Sequence, residues 1–170
     1  MATILLVEPN APFRRMMEQE LRKAGHEVFG ADDARIAARA LRERELDLVV
    51  IELVIPGEVT AADLLASMRD DPLPGDPARI AMAAEGNFAR NEGFFRAEYL
   101  LDAFLLKPFL PSKLRATVDE ALAARERRRS TPKISEWNSP GGFMPPPLEA
   151  PSAAKAPAVV VPPPPPPAAS

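Results

Sequence analysis

The chain has 170 residues, 21 basic and 24 acidic side chains, one histidine and no cysteine, for a net charge of -3. That composition excludes a disulfide framework and a thiolate metal site, leaves little material for a multi-histidine centre or a Ser-His triad, and argues against wholesale nucleic-acid binding. No apolar run reaches the roughly 18 residues that a membrane span needs, and Met1-Ala2-Thr3-Ile4 lacks the basic region of a signal peptide, so a reducing, cytoplasmic setting is expected.

Thr3–Val7 is a short apolar run that predicts a first strand, with Glu8-Pro9-Asn10 as its exit loop. Pro12 suits the first turn of a helix, whose stripe Phe13, Met16, Met17, Glu20 and Leu21 repeats at helical spacing until Gly25 closes it. His26–Ala31 predicts a second strand. Asp32 or Asp33 caps a helix to about Arg44, with Ile36, Ala37, Ala40 and Leu41 expected inward.

The stretch that organises the chain is Asp47–Gly57. From Leu48 to Ile55 it is apolar except for Glu52, and Pro56-Gly57 end it, which predicts a strand buried on both faces. A carboxylate in such a run is tolerated where an open α/β sheet meets solvent, at the strand's carboxyl end. Thr60 caps a third helix with Leu64, Leu65 and Met68 inward, and Arg79–Ala84 predicts a fourth strand. A weaker helix is expected from about Phe88 to Leu100, weakened by Gly93. Ala103–Leu106 predicts a fifth strand ending at Lys107-Pro108-Phe109, and Pro111 starts a last helix with Leu114, Val118 and Leu122 inward, to about Arg129. The cluster Arg125, Arg127, Arg128 and Arg129 reads as a solvated helix end, its cations near the negative dipole.

Strand and helix alternate five times, which predicts an α/β fold: a three-layer, doubly wound, five-stranded parallel sheet. Glu8, Glu52, Ala83 and Lys107 then all fall at the strands' carboxyl ends, where such sheets bind ligands. From Ser130 onward the pattern stops. Of the 21 prolines, 13 lie between Pro132 and Pro167, and the expected organisation is a domain over 1–129 followed by a proline-rich, disordered tail over 130–170. Ile134, Trp137, Phe143 and Met144 make that tail either a spacer with incidental apolar residues or a docking segment for a partner.

The order and spacing of these motifs over residues 3–128 resemble the receiver domain of two-component response regulators. The resemblance implies a flavodoxin-like sheet of order 2-1-3-4-5 and a site where acidic residues hold Mg²⁺ and an aspartate takes a phosphoryl group. It also implies a hydroxyl and a lysine that sense the phosphate, and a cis peptide before the proline that follows the lysine. This chain departs from that pattern. Glu52 stands at the phosphoacceptor position, its oxygens one C–C bond, roughly 1.5 Å, farther out. Pro9 replaces a second metal-binding acid, leaving Glu8 as the remnant of the acidic pocket. Ala83 takes the switching Ser/Thr position, Phe104 the aromatic switch position, and Lys107 is kept as the site lysine.

A Glu52–Lys107 ion pair is therefore expected, serving either to lock an active-like conformation or only to neutralise two charges. No cofactor and no enzymatic activity are expected; weak Mg²⁺ binding at Glu8 and Glu52 stays open. The implied function is a phosphorylation-independent, stand-alone pseudo-receiver in bacterial signalling. It would bind a signalling partner, a histidine kinase or an effector, through a surface that includes Phe94, Phe104 and Lys113. The alternative is a receiver still phosphorylated at Glu52 by a histidine kinase. A direct nucleic-acid role for the Arg125–Arg129 cluster is not expected, because no helix-turn-helix follows the sheet.

Overall fold

The computed structural model describes residues 1–71, 73, 75–84 and 90–130. Among them, strands β1 (Thr3–Val7), β2 (Glu27–Ala31), β3 (Leu48–Glu52), β4 (Ala78–Ala84) and β5 (Ala103–Lys107) alternate with helices. The helices are α1 (Ala11–Lys23), α2 (Ala34–Glu43), α3 (Ala61–Asp70), α4 (Glu92–Tyr99) and α5 (Pro111–Ser130). All strand pairs are parallel and the sheet order is β2-β1-β3-β4-β5, the doubly wound, flavodoxin-like arrangement expected. By internal contacts the chain divides into Met1–Pro132 and Lys133–Ser170. The expected proline-rich tail lies outside the described residues from position 131, and Ser130 still belongs to α5.

The starts of α1, α2 and α3 each follow from a side chain that accepts an otherwise orphaned backbone N–H. Asn10 accepts from the Phe13 amide, Asp33 from the Ile36 amide, and Thr60 and Asp63 form a reciprocal capping box. Of the two aspartates that precede α2, Asp33 is the cap. Gly25, with φ of +88°, takes the left-handed turn that leads from α1 to β2.

The alternation of side chains along a strand divides the interior into two layers. Ile4, Leu6, Leu48, Val50, Ile80, Met82 and Leu105 pack against Met17 and Leu21 of α1 and Leu114, Val118 and Ala121 of α5. Leu5, Val7, Val49, Ile51, Ala81 and Ala83 pack on the other side, against Leu41, Leu64, Leu65 and Met68. All five residues of β3 are buried, as a central strand with both faces covered requires. The apolar run through Ile55 continues beyond the strand's end at Glu52, because Leu53 to Gly57 turn out of the sheet.

Two expectations need correction here. Ile36 is 49% exposed rather than inward. Helix α2 turns Ala34, Ala37 and Leu41 to the core, and a residue two positions after Ala34 lies some 200° around the helix from it. Helix α4 runs over Glu92–Tyr99 with no fully buried residue; Arg90 is also helical, and the start expected at about Phe88 lies outside the described residues.

The second correction concerns the arginine cluster. Arg125 is 6% exposed, and its guanidinium is spread over the amino-terminal edge of the sheet. It donates to Asp47 Oδ1 at 2.8 Å, to the Gly75 carbonyl at 2.8 Å and to the Asp76 carbonyl at 3.0 Å. The other oxygen of Asp47 accepts from the Thr3 amide at 2.8 Å. Arg128 pairs with Asp102, which also accepts from the Arg79 amide. The last turns of α5 are thus fastened to the entrances of β1, β4 and β5, not simply solvated.

Candidate functional site at the carboxyl mouth of the sheet

The period-two alternation that builds the α1/α5 layer also builds the site. On β1 the series Ile4, Leu6 is continued by Glu8; on β3, Leu48, Val50 by Glu52; on β5, Ala103, Leu105 by Lys107. Each strand sends one more side chain to the same face, one step past its last apolar residue, where the sheet opens. The Glu8 amide still donates to the Ala31 carbonyl at 3.0 Å, so the β1 ladder carries Glu8 to the mouth.

The three side chains meet. Lys107 Nζ lies 2.5 Å from Glu52 Oε2, which is the expected pair, and 2.5 Å from Glu8 Oε2, which was not expected. The remaining oxygen of each glutamate is held by a backbone amide two residues on. The Asn10 amide donates to Glu8 Oε1 at 2.9 Å, and the Val54 amide donates to Glu52 Oε1 at 3.0 Å. Pro9 has no N–H, so Asn10 supplies the first amide in that loop able to do this. The Arg14 guanidinium holds the Glu8 carbonyl at 2.5 Å, fixing the loop from behind. Phe13 places its ring 4.7 Å from Lys107 Nζ and packs on Phe109 at 5.5 Å.

Glu8 is 2% exposed and Glu52 6%. Two such carboxylates require compensation, and the cluster supplies it: four carboxylate oxygens, each with a donor. Burial works against the Lys107 ammonium, but the hydrogen bonds and charges of Glu52 and Glu8 outweigh it and hold the lysine above its ordinary value. Its charge is therefore fixed across the physiological range. Glu52→Gln keeps an acceptor for the Val54 amide but loses the charge facing Lys107, and is expected to cost about 1–3 kcal/mol. An unchanged melting temperature would show that the pair stabilises nothing.

The other predicted positions lie elsewhere. Ala83 is fully buried in the opposite layer and paired in register with Leu106, and it brings only a methyl group. Phe104 belongs to that same layer and stacks loosely on Phe95, with ring centroids 6.5 Å apart. At 8% exposure Phe104 is largely buried, but it lies near the expected partner surface as one of the residues that line the cleft there. Phe94 is 62% exposed and Lys113 is exposed. Glu92, Phe104, Leu106, Pro108, Leu110 and Lys113 line a shallow cleft of about 340 Å³ where α4, β5 and α5 meet. The Lys107-Pro108 peptide is cis, as the resemblance implied.

Sequence reasoning missed Glu8 as a second partner of Lys107, the two backbone amides and Phe13. The signal for the amides was in the loops themselves, where each glutamate is followed two positions later by a residue with a free N–H. Among the described residues no group of three or more Asp, Glu, His or Cys side chains could hold a metal ion, and no helix is long and apolar enough to cross a membrane.

The comparisons with known proteins agree with this architecture. The phosphate regulon transcriptional regulatory protein PhoB of Pseudomonas aeruginosa is 30% identical over 134 residues, covering 79% of this chain and 55% of PhoB. The DNA-binding transcriptional regulator NtrC of Rhizobium meliloti is 32% identical over 158 residues, covering 90% of this chain and 29% of NtrC. The chain thus spans about half or less of the curated relatives it matches. Among solved structures, the CheY-like receiver domain protein of Methanospirillum hungatei superposes with a TM-score of 0.66 at 21% identity, covering 75% of this chain and 98% of that one. Residues 4–119 match the response regulator receiver domain, and the chain belongs to that family of two-component signalling modules.

Proposed function

We propose that this receiver domain acts without phosphoryl transfer, as a protein-binding module of a two-component pathway. The observation that carries this reading is the closed state of the mouth. Glu52 and Glu8 are buried, both oxygens of each have donors, and Lys107 bridges them. A carboxylate attacks a phosphodonor only if an oxygen can be aligned with the phosphorus in line with the leaving group. Here that oxygen would first have to leave the ammonium or the amide. Ala83 has no hydroxyl to follow a phosphoryl group, and Phe104 is already packed inward. Glu52 facing Lys107 supplies about one negative charge where a phosphoryl group would bring about -1.5 to -2.

The binding surface fits the junction of α4, β5 and α5. Phe94 at 62% exposure and Leu110 at 71% flank charged Glu92 and Lys113, an arrangement suited to a signalling partner, a kinase or an effector protein. The proline-rich stretch 130–170 supplies a second binding element on the same chain, which raises the effective concentration of the first.

Incubation with acetyl phosphate and Mg²⁺ followed by intact-mass measurement tests the reading. The expected result is an unmodified chain. A gain of about 80 Da, the mass of one phosphoryl group, that disappears in Glu52→Gln would establish the alternative, a receiver phosphorylated at Glu52.

A further inference from the structure

The family's site implies Mg²⁺, and the mouth with the Lys107 ammonium in it does not fit that ion. Mg²⁺ demands a near-octahedral array of oxygens at about 2.0–2.1 Å, commonly one or two carboxylates completed by water and phosphate. The mouth offers two carboxylates, and Pro9 contributes no side-chain oxygen between them. Glu8 Oε1 and Glu52 Oε1 are taken by the Asn10 and Val54 amides. The two remaining oxygens, Glu8 Oε2 and Glu52 Oε2, both face Lys107 Nζ at 2.5 Å. A cation bridging the glutamates would have to stand where the ammonium stands, and a divalent ion beside it would meet like charge at close range.

We propose that Lys107 is a tethered cation that occupies the divalent ion's place. It joins the mouths of β1, β3 and β5 as a bridging metal would, and it makes the folded domain indifferent to Mg²⁺. The ammonium is held there by two features at once: the shared Oε2 atoms and the Phe13 ring 4.7 Å away. The complementary claim is that taking the ammonium away exposes a Mg²⁺ site. Glu8 and Glu52 would then present two unpaired oxygens to one point, with their outer oxygens still fixed by backbone amides. This inference deepens the phosphorylation-independent reading and rests on it. It fails separately, because partner binding without phosphate would survive a positive response to Mg²⁺.

The test is the thermal midpoint of the full chain, measured with and without millimolar MgCl₂ at constant ionic strength. The wild-type chain and Lys107→Arg, which keeps a cation at the mouth, are expected to show no Mg²⁺-dependent shift. Lys107→Met is expected to rise by roughly 5 °C or more at saturating Mg²⁺, because an ion that binds only the folded state stabilises it by mass action. A Lys107→Met chain that is unfolded alone and folds on addition of Mg²⁺ supports the proposal equally. A Mg²⁺-dependent rise in the wild-type chain would overturn it, as would a Lys107→Met chain, folded or unfolded, that saturating Mg²⁺ leaves unchanged.

Discussion

Arg125→Ala is expected to lower the thermal midpoint by roughly 10 °C, a larger effect than any surface arginine should have. The guanidinium is buried to 6% exposure and serves Asp47 and the carbonyls of Gly75 and Asp76 at the same time. Removing it leaves Asp47, whose side chain is 33% exposed and therefore partly solvated, without its ion partner, at a cost of about 2–3 kcal/mol. Here it strands two carbonyls as well, in a turn where Gly75 and Asp76 both adopt positive φ. Asp47→Asn should cost less than Arg125→Ala, because the amide oxygen still accepts from one of the two donors, the Thr3 amide or Arg125, although its NH₂ then faces the other. Arg125→Lys should rescue little, since a single ammonium cannot reproduce a planar fork that spans three acceptors. A midpoint for Arg125→Ala within about 2 °C of wild type would mean that this edge of the sheet relaxes to let water in, and that the clamp is not a stabilising device.

Why the sequence hid this clamp, while showing so much else, follows from the range of the interactions involved. The β3 strand was legible because Leu48 to Ile51 are all apolar, a local pattern. The starts of α2 and α3 were legible because Asp33 and Thr60 sit within three residues of the amides they cap, and that of α1 because Pro12 suits a first turn; the Asn10 cap was not read. Arg125 meets Asp47 across 78 positions and Lys107 meets Glu8 across 99. Nothing in a run of arginines at a helix end tells which one turns inward, and only the crossing of α5 over the sheet edge decides it. The same reasoning separates Ile36 from Ala37. Both suit a helix, and which faces inward is set by the position of α2 over β1, where Ala34 already occupies the layer.

At the site, the identities Glu8, Glu52 and Lys107 were legible from the strand-helix alternation, which puts the carboxyl ends of β1, β3 and β5 at one mouth. Their stoichiometry was not. An expectation of one pair gave way to one cation between two anions, because Glu8 reaches across from β1 to a lysine on a strand that is not its neighbour. Phe104 shows the converse. Its sequence position marked it for the surface region, but its place in the β5 alternation, opposite Leu105, directs the ring into the other layer against Phe95.

Lys107→Met tests what that stoichiometry contributes in the absence of divalent ions, and it is expected to lower stability by about 3 kcal/mol, close to half of what a marginal domain has to spare. Methionine keeps the length and apolar body of the side chain and its packing near Phe13, so the loss reports the charge and not a cavity. What remains is two glutamates with 3% and 7% side-chain exposure whose inner oxygens now face each other. Mutual repulsion in a poorly solvated site is then uncompensated. The decisive comparison is with the double variant Glu8→Gln/Lys107→Met. If the penalty comes from two stranded like charges, neutralising one of them returns much of the lost stability, although each change alone is destabilising; the coupling between the positions should be about 1–3 kcal/mol. If instead Lys107 contributes only through its aliphatic stem, the double variant melts at least as low as Lys107→Met alone. Urea unfolding of the four chains, wild type, both single variants and the double, separates the outcomes. An additive result would remove the electrostatic bridge from the account of how the three strand ends are held together.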